Sequence, residues 1–152
     1  ASRPPAAAKR VAPGTVGAVA LDSAGRFAAA TSTGGVMLKL PGRVGDSPIP
    51  GAGNYANGVA ACSATGRGEL MLRTLAAKAL CDRVARGEGV RAAVDAQFEV
   101  MQRAVGSDCG FLLLSRDAVA AGHRTAAMPH AWQCDDDPRA FVAMRVASRH
   151  AR

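Results

Sequence analysis

An α+β fold, with helices covering one face of an antiparallel sheet, is predicted by three features of this 152-residue chain. Short β-type segments open it, two stretches with apolar residues at helical spacing follow, and short β-type segments close it. Aromatic residues make up only 4% while Ala and Gly are abundant, so the core must rest on closely approaching backbones rather than on bulky side chains. No stretch approaches the roughly 18 apolar residues of a membrane span, and no charged-then-apolar signal peptide opens the chain, which leaves the cytoplasm as the default location.

The elements follow in order. Residues 1–14 carry Arg3, Pro4, Pro5, Lys9, Arg10 and Pro13 without apolar periodicity and read as a flexible leader, with one domain expected over 15–152. Thr15 to Leu21 and Arg26 to Thr33 read as two strands joined by the Gly-containing connection Asp22-Ser-Ala-Gly25. Thr15 and Thr33 would then stand side by side at the open end of one antiparallel hairpin. Leu40 to Asn54 is too rich in Gly and Pro for helix or regular strand and predicts an ordered functional loop.

Val59 to Ser63 is a short strand, and Thr65-Gly-Arg-Gly68 turns the chain into a helix from about Glu69 to Arg86. Leu72, Leu75, Ala76, Ala79, Leu80 and Val84 would form its buried face. Gly87-Glu-Gly89 ends it, and Val90, Ala93, Val94, Phe98, Met101 and Val105 mark a second, antiparallel helix. Gly110 to Ser115, Arg124 to Met128 and Ala140 to Val146 complete the strands. The sheet face away from the helices is expected to lack a cover.

A formal net charge of +7 raises nucleic acid or anionic membrane as partners. The cations are scattered, and none is interleaved with aromatics that stack on bases, so neither partner is expected. Cys62, Cys81, Cys109 and Cys134 lack CxxC spacing and read as reduced, mostly buried thiols. His123, His130 and His150 lack the close spacing of metal ligands, so no metal is expected.

A threonine after glycine at the head of a strand is by itself only a β-forming residue. Here Gly14-Thr15-Val-Gly-Ala18, Thr31-Ser-Thr-Gly-Gly35, Gly42-Arg-Val-Gly-Asp-Ser-Pro48 and Ala64-Thr-Gly-Arg-Gly-Glu69 occur in that order. Together they resemble the plant-type L-asparaginases and isoaspartyl peptidases, relatives of the glycosylasparaginases and all N-terminal-nucleophile hydrolases. The similarity is strongest from residue 14 to about residue 100.

The resemblance implies a longer precursor that cuts itself between Gly14 and Thr15, after which Thr15 is the nucleophile for asparagine or a β-aspartyl peptide. A free α-amine, with an ordinary pKa of about 7.7 to 8.0, suits it as the base beside its own hydroxyl. By the same resemblance Thr33 orients that hydroxyl, Thr65 and Gly66 form the oxyanion hole, Arg43 and Asp46 hold the substrate's carboxylate and ammonium, and the Gly68 carbonyl approaches that ammonium. It further implies half of a four-layer αββα sandwich. An α half would supply the second sheet, a structural sodium loop and part of the pocket wall, in an (αβ)2 assembly; no cofactor is implied.

Two features depart from the family pattern: Pro13, where relatives often carry histidine, and the acidic run Asp135-Asp136-Asp137, for which no role is expected. Glycosylasparaginase stays open as an alternative because Gly45-Asp-Ser-Pro-Ile-Pro-Gly-Ala-Gly53 also resembles that branch, although Gly14 and Gly34-Gly35 favour the first. A non-catalytic half without its α chain is the other.

Overall fold

The computed structural model describes residues 14–105, 108–125, 128–134 and 137–143. The leader up to Pro13, Asp135, Asp136, His150 and the end of the last expected strand, 144–146, lie outside the described residues.

Thr15–Leu21 (β1) and Phe27–Thr33 (β2) form the expected antiparallel hairpin, in which Thr15 pairs with Thr33 and Gly17 with Thr31. Its turn closes through Gly25 N–H donating to the Asp22 carbonyl at 2.9 Å, with Gly25 at φ 78°, a left-handed value that glycine adopts without Cβ strain. The central sheet has the order β3-β4-β5-β6, all antiparallel: Asn54–Ala56, Ala60–Gly66, Cys109–Ser115 and Val119–His123. His130–Cys134 (β7) and Asp137–Ala143 (β8) make a separate hairpin.

Strand alternation assigns the two faces of the central sheet. Ala60, Cys62 and Ala64 of β4, with Cys109, Phe111 and Leu113 of β5, join the core under the helices. Ser63 points the other way, where its hydroxyl meets Thr31 of β2. The β1–β2 hairpin therefore lies on the face opposite the helices, stacking helix layer, sheet and hairpin. That face, expected to be bare, is covered in part by the chain's own first hairpin. Val16, Ala18, Ala20, Ala28 and Ala30 of the hairpin stand exposed.

The single helix expected over 69–86 is two, so among the described residues three helices rather than two pack on the sheet. Gly68–Thr74 (α1) and Ala76–Ala85 (α2) are broken at Leu75, which sits at φ 44°, ψ 53°. A left-handed leucine costs about 1–2 kcal/mol. The break frees the first amides of α2 to bond the preceding loop: Ala77 N–H reaches the Ala52 carbonyl at 3.2 Å and Lys78 N–H the Gly51 carbonyl at 2.9 Å. It also shifts the buried face to Leu70, Met71, Ala76, Ala77, Leu80 and Cys81, and leaves Leu75 46% exposed.

Val90–Val105 (α3) follows its expected pattern, burying Val90, Ala93, Val94, Phe98 and Met101, together with Gln97. The expected strand at 124–128 is displaced to β6; Arg124 and Thr125 form a bend, and 126–127 are outside the described residues. Among the described residues no helix is long and apolar enough to cross a membrane.

Candidate active site

The loop between β2 and β3 is built by its own backbone. Ile49 and Gly53 N–H both donate to the Asp46 carbonyl, at 2.9 and 3.1 Å, Asn54 Nδ2 donates to the Ser47 carbonyl at 2.7 Å, and Ala64 N–H of β4 donates to the Gly53 carbonyl at 2.8 Å. These bonds satisfy the polar groups of a buried loop and hold Asp46 rigidly.

The loop, the hairpin end and the end of β4 enclose a cleft of about 340 Å3. Gly14, Thr15, Thr33, Arg43, Asp46, Thr65 and Gly66 all line it, so seven of the eight residues singled out in the sequence converge, from segments up to 52 positions apart. Thr65 and Gly66 end strand β4, pairing with Gly110 and Cys109, rather than forming the expected turn. The eighth residue, Gly68, is buried behind the wall: a Cβ there would come within 2.7 Å of Arg43 Nη2 and 3.0 Å of Asp46 Oδ1. Its lack of a side chain lets Arg43 and Asp46 pack side by side.

At the hairpin end, Thr15 Oγ1 donates to Thr33 Oγ1 at 3.2 Å. Thr33 Oγ1 also accepts from Gly35 N–H at 3.1 Å and donates to the Gly14 carbonyl at 3.4 Å. One hydroxyl thus draws on the Thr15 hydroxyl and touches the carbonyl of the residue before it.

Asp46 is 6% exposed, and among the described residues its Oδ2 has no hydrogen-bond partner. Burial pushes its carboxyl pKa up, against smaller downward pulls from backbone N–H groups and Arg43. A carboxylate beside a cleft that keeps an unused acceptor carries a desolvation cost that a hydrogen-bond donor would relieve. Arg43 pairs not with Asp46 but with Glu69: Nε and Nη2 donate to Glu69 Oε1 at 3.0 and 2.8 Å. That bond holds the Glu69 carboxyl below its ordinary pKa, and among the described residues Nη1 has no acceptor. Sequence reasoning missed this pairing; a carboxylate at 69, directly after Gly68, was its visible signal.

Burial raises the thiol pKa of Cys62, takes Cys81 to about 12 and Cys109 to about 11, and none of the four cysteines is bridged. Among the described residues no group of three His, Cys, Asp or Glu side chains stands where it would hold a metal ion.

A helix layer, a sheet and a stacked hairpin with a threonine at the head of its first strand form the half-sandwich architecture of the N-terminal-nucleophile hydrolases. A family profile described as Asparaginase matches residues 2–142, and the chain belongs to that family. It is similar to the plant-type L-asparaginase of Pyrobaculum calidifontis, 51% identical over 130 residues, which are 83% of this chain and 43% of that protein. It is also similar to the isoaspartyl peptidase of Escherichia coli, 47% identical over 123 residues, covering 78% of this chain and 38% of that protein. The Homo sapiens isoaspartyl peptidase/L-asparaginase is 45% identical over 104 residues, 68% of this chain and 34% of that protein. The chain thus spans less than half the length of these curated relatives.

Proposed function

We propose that this chain is the catalytic part of a threonine amidohydrolase that cuts itself between Gly14 and Thr15 and then hydrolyses L-asparagine and β-aspartyl peptides. The observation that carries this reading is the cleft itself, lined by a hydroxyl couple, a buried carboxylate and an arginine, the last two each with a polar group unpaired among the described residues.

In the first stage the Thr15 hydroxyl gives its proton toward Thr33 and attacks the Gly14 carbonyl carbon, while the Thr33 hydroxyl donates to the carbonyl oxygen. The peptide C–N bond breaks as its nitrogen takes up, through Thr33, the proton that left the Thr15 hydroxyl; the nitrogen becomes the free α-amine of Thr15, and water hydrolyses the resulting ester. In the second stage that amine is the base that the hydroxyl otherwise lacks. The Asp46 carboxylate accepts the substrate ammonium, and Arg43 Nη1 donates to the substrate α-carboxylate. Thr15 Oγ1 attacks the side-chain carbonyl with Thr65 and Gly66 as oxyanion donors; removing one such donor from a hydrolase costs on the order of 10² to 10³ in rate. Ammonia or an amine leaves, and water releases aspartate.

The domain division at Thr15, and an α half that completes the pocket in an (αβ)2 assembly, belong to the same proposal. The length of the relatives supports it, as does the exposed outer face of the β1–β2 hairpin, where Val16 is 70% exposed. The unbridged thiols suit a reducing compartment such as the cytoplasm. Aspartate release from asparagine, a β-aspartyl dipeptide and a glycosylated asparagine, measured on protein expressed from its complete reading frame, tests the reading. Turnover of the first two supports it; turnover of the glycosylated substrate alone contradicts it.

A further inference from the structure

Thr31 and Ser63 take no part in the chemistry above, yet their hydroxyls meet at 2.6 Å. Thr31 Oγ1 donates to the Gly53 carbonyl at 2.9 Å, which makes Ser63 the donor of the bond between the two hydroxyls. The same Gly53 carbonyl accepts from Ala64 N–H, and Gly53 N–H donates to the Asp46 carbonyl. Thr31 precedes Thr33 by two residues on one strand, and Ser63 precedes Thr65 by two on another, so each shares its face with a cleft residue. Gly17, opposite Thr31 in the hairpin and two residues after Thr15, lies so close that a Cβ there would overlap Ser63 Oγ.

We propose that the Thr31–Ser63 hydroxyl pair is a positioning element for the nucleophile. It sets the Thr15–Thr33 couple of the hairpin at a fixed distance from Thr65, Gly66 and Asp46. Apolar packing between two stacked β layers is non-directional and tolerates sliding, whereas a hydrogen bond restricts both distance and angle. Ser63 is 4% exposed, so water does not replace the bond freely when one hydroxyl is removed. Neither side chain lines the wall that holds the proposed carboxylate and ammonium sites. Loss of the pair therefore displaces the attacking oxygen without removing a binding group. The inference rests on the threonine-nucleophile reading.

The test compares wild type, Thr31→Val, Ser63→Ala and Thr31→Ser, each expressed from the complete reading frame, by cleavage rate at Gly14–Thr15, kcat and KM for asparagine, and melting temperature. A displacement of about 1 Å costs on the order of 100-fold, so cleavage rate and kcat should fall 10- to 100-fold in Thr31→Val and Ser63→Ala. KM should stay within about twofold, and Thr31→Ser, which keeps the hydroxyl, should recover most of kcat. Variants that melt lower yet keep wild-type kcat and cleavage rate overturn the inference alone, as does a rise in KM with kcat unchanged. A wild type that neither cleaves nor hydrolyses overturns the reading of the site and the inference with it.

Discussion

Asp46→Asn separates binding from folding, because the proposed role of this carboxylate makes opposite demands on the two. Its Oδ2 is buried with no partner among the described residues, and desolvation raises its pKa above the ordinary 3.8. In the free protein the charge is a burden, since the folded state favours the protonated form. Its contribution to stability is full below the unfolded pKa and is lost as pH rises through the raised folded value. With substrate bound, the same charge accepts a hydrogen bond from an ammonium, worth about 1.5–3 kcal/mol. At 1.4 kcal/mol per tenfold, Asn should raise KM for asparagine by on the order of 10- to 100-fold. The melting temperature of the free variant at pH 7 should equal or exceed that of wild type. The wild-type KM should also rise as pH falls through the raised Asp46 value, at a higher pH than an ordinary aspartate gives, and the Asn variant should lose this inflection. Steady-state aspartate release across pH, with thermal melts beside it, reads all three. A KM within about twofold of wild type, or a marked loss of stability at pH 7, would refute the reasoning.

Gly68→Ala should raise KM by about tenfold with little change in kcat, because its Cβ would lie 2.7 Å from Arg43 Nη2 and 3.1 Å from the Asp46 amide. Gly68 opens α1 rather than sitting inside it, so the overpacking is not offset by helix propensity, and a melt should show a loss of about 1–3 kcal/mol beside the fall in affinity. Leu80→Ala, at a fully buried position, should cost about 2–5 kcal/mol in urea unfolding. Leu75→Gly should be neutral or stabilising by about 1 kcal/mol, since it relieves a left-handed leucine at the α1–α2 break.

The first hairpin was legible to within one residue because two β-type runs and the turn glycine between them are local signals, and they put Thr15 opposite Thr33. The convergence of Arg43, Asp46, Thr65 and Gly66 was legible only through four ordered motifs, since no periodicity reports a loop folding back on a strand. Gly66 and Gly68 read as turn formers, yet pairing with β5 carried the strand through Thr65 and Gly66. The break at Leu75 was hidden because the apolar spacing from Leu72 to Val84 continues across it. What overrides that spacing is the demand of the Gly51 and Ala52 carbonyls for donors, a tertiary effect. The Arg43–Glu69 and Thr31–Ser63 contacts span 26 and 32 positions, beyond any local pattern. The exposed alanines of the hairpin have the same composition as the buried alanines of β4, so composition alone did not assign their faces.

In the proposed mechanism Thr15 becomes a nucleophile by becoming an N-terminus. Protein expressed from its complete reading frame, incubated and analysed by intact mass and N-terminal sequencing alongside a Thr15→Ala variant, tests this most directly. A new chain beginning at Thr15 should accumulate, aspartate release from asparagine should grow in step with it, and the Ala variant should show neither. Full hydrolytic activity with the Gly14–Thr15 bond unbroken would contradict the mechanism.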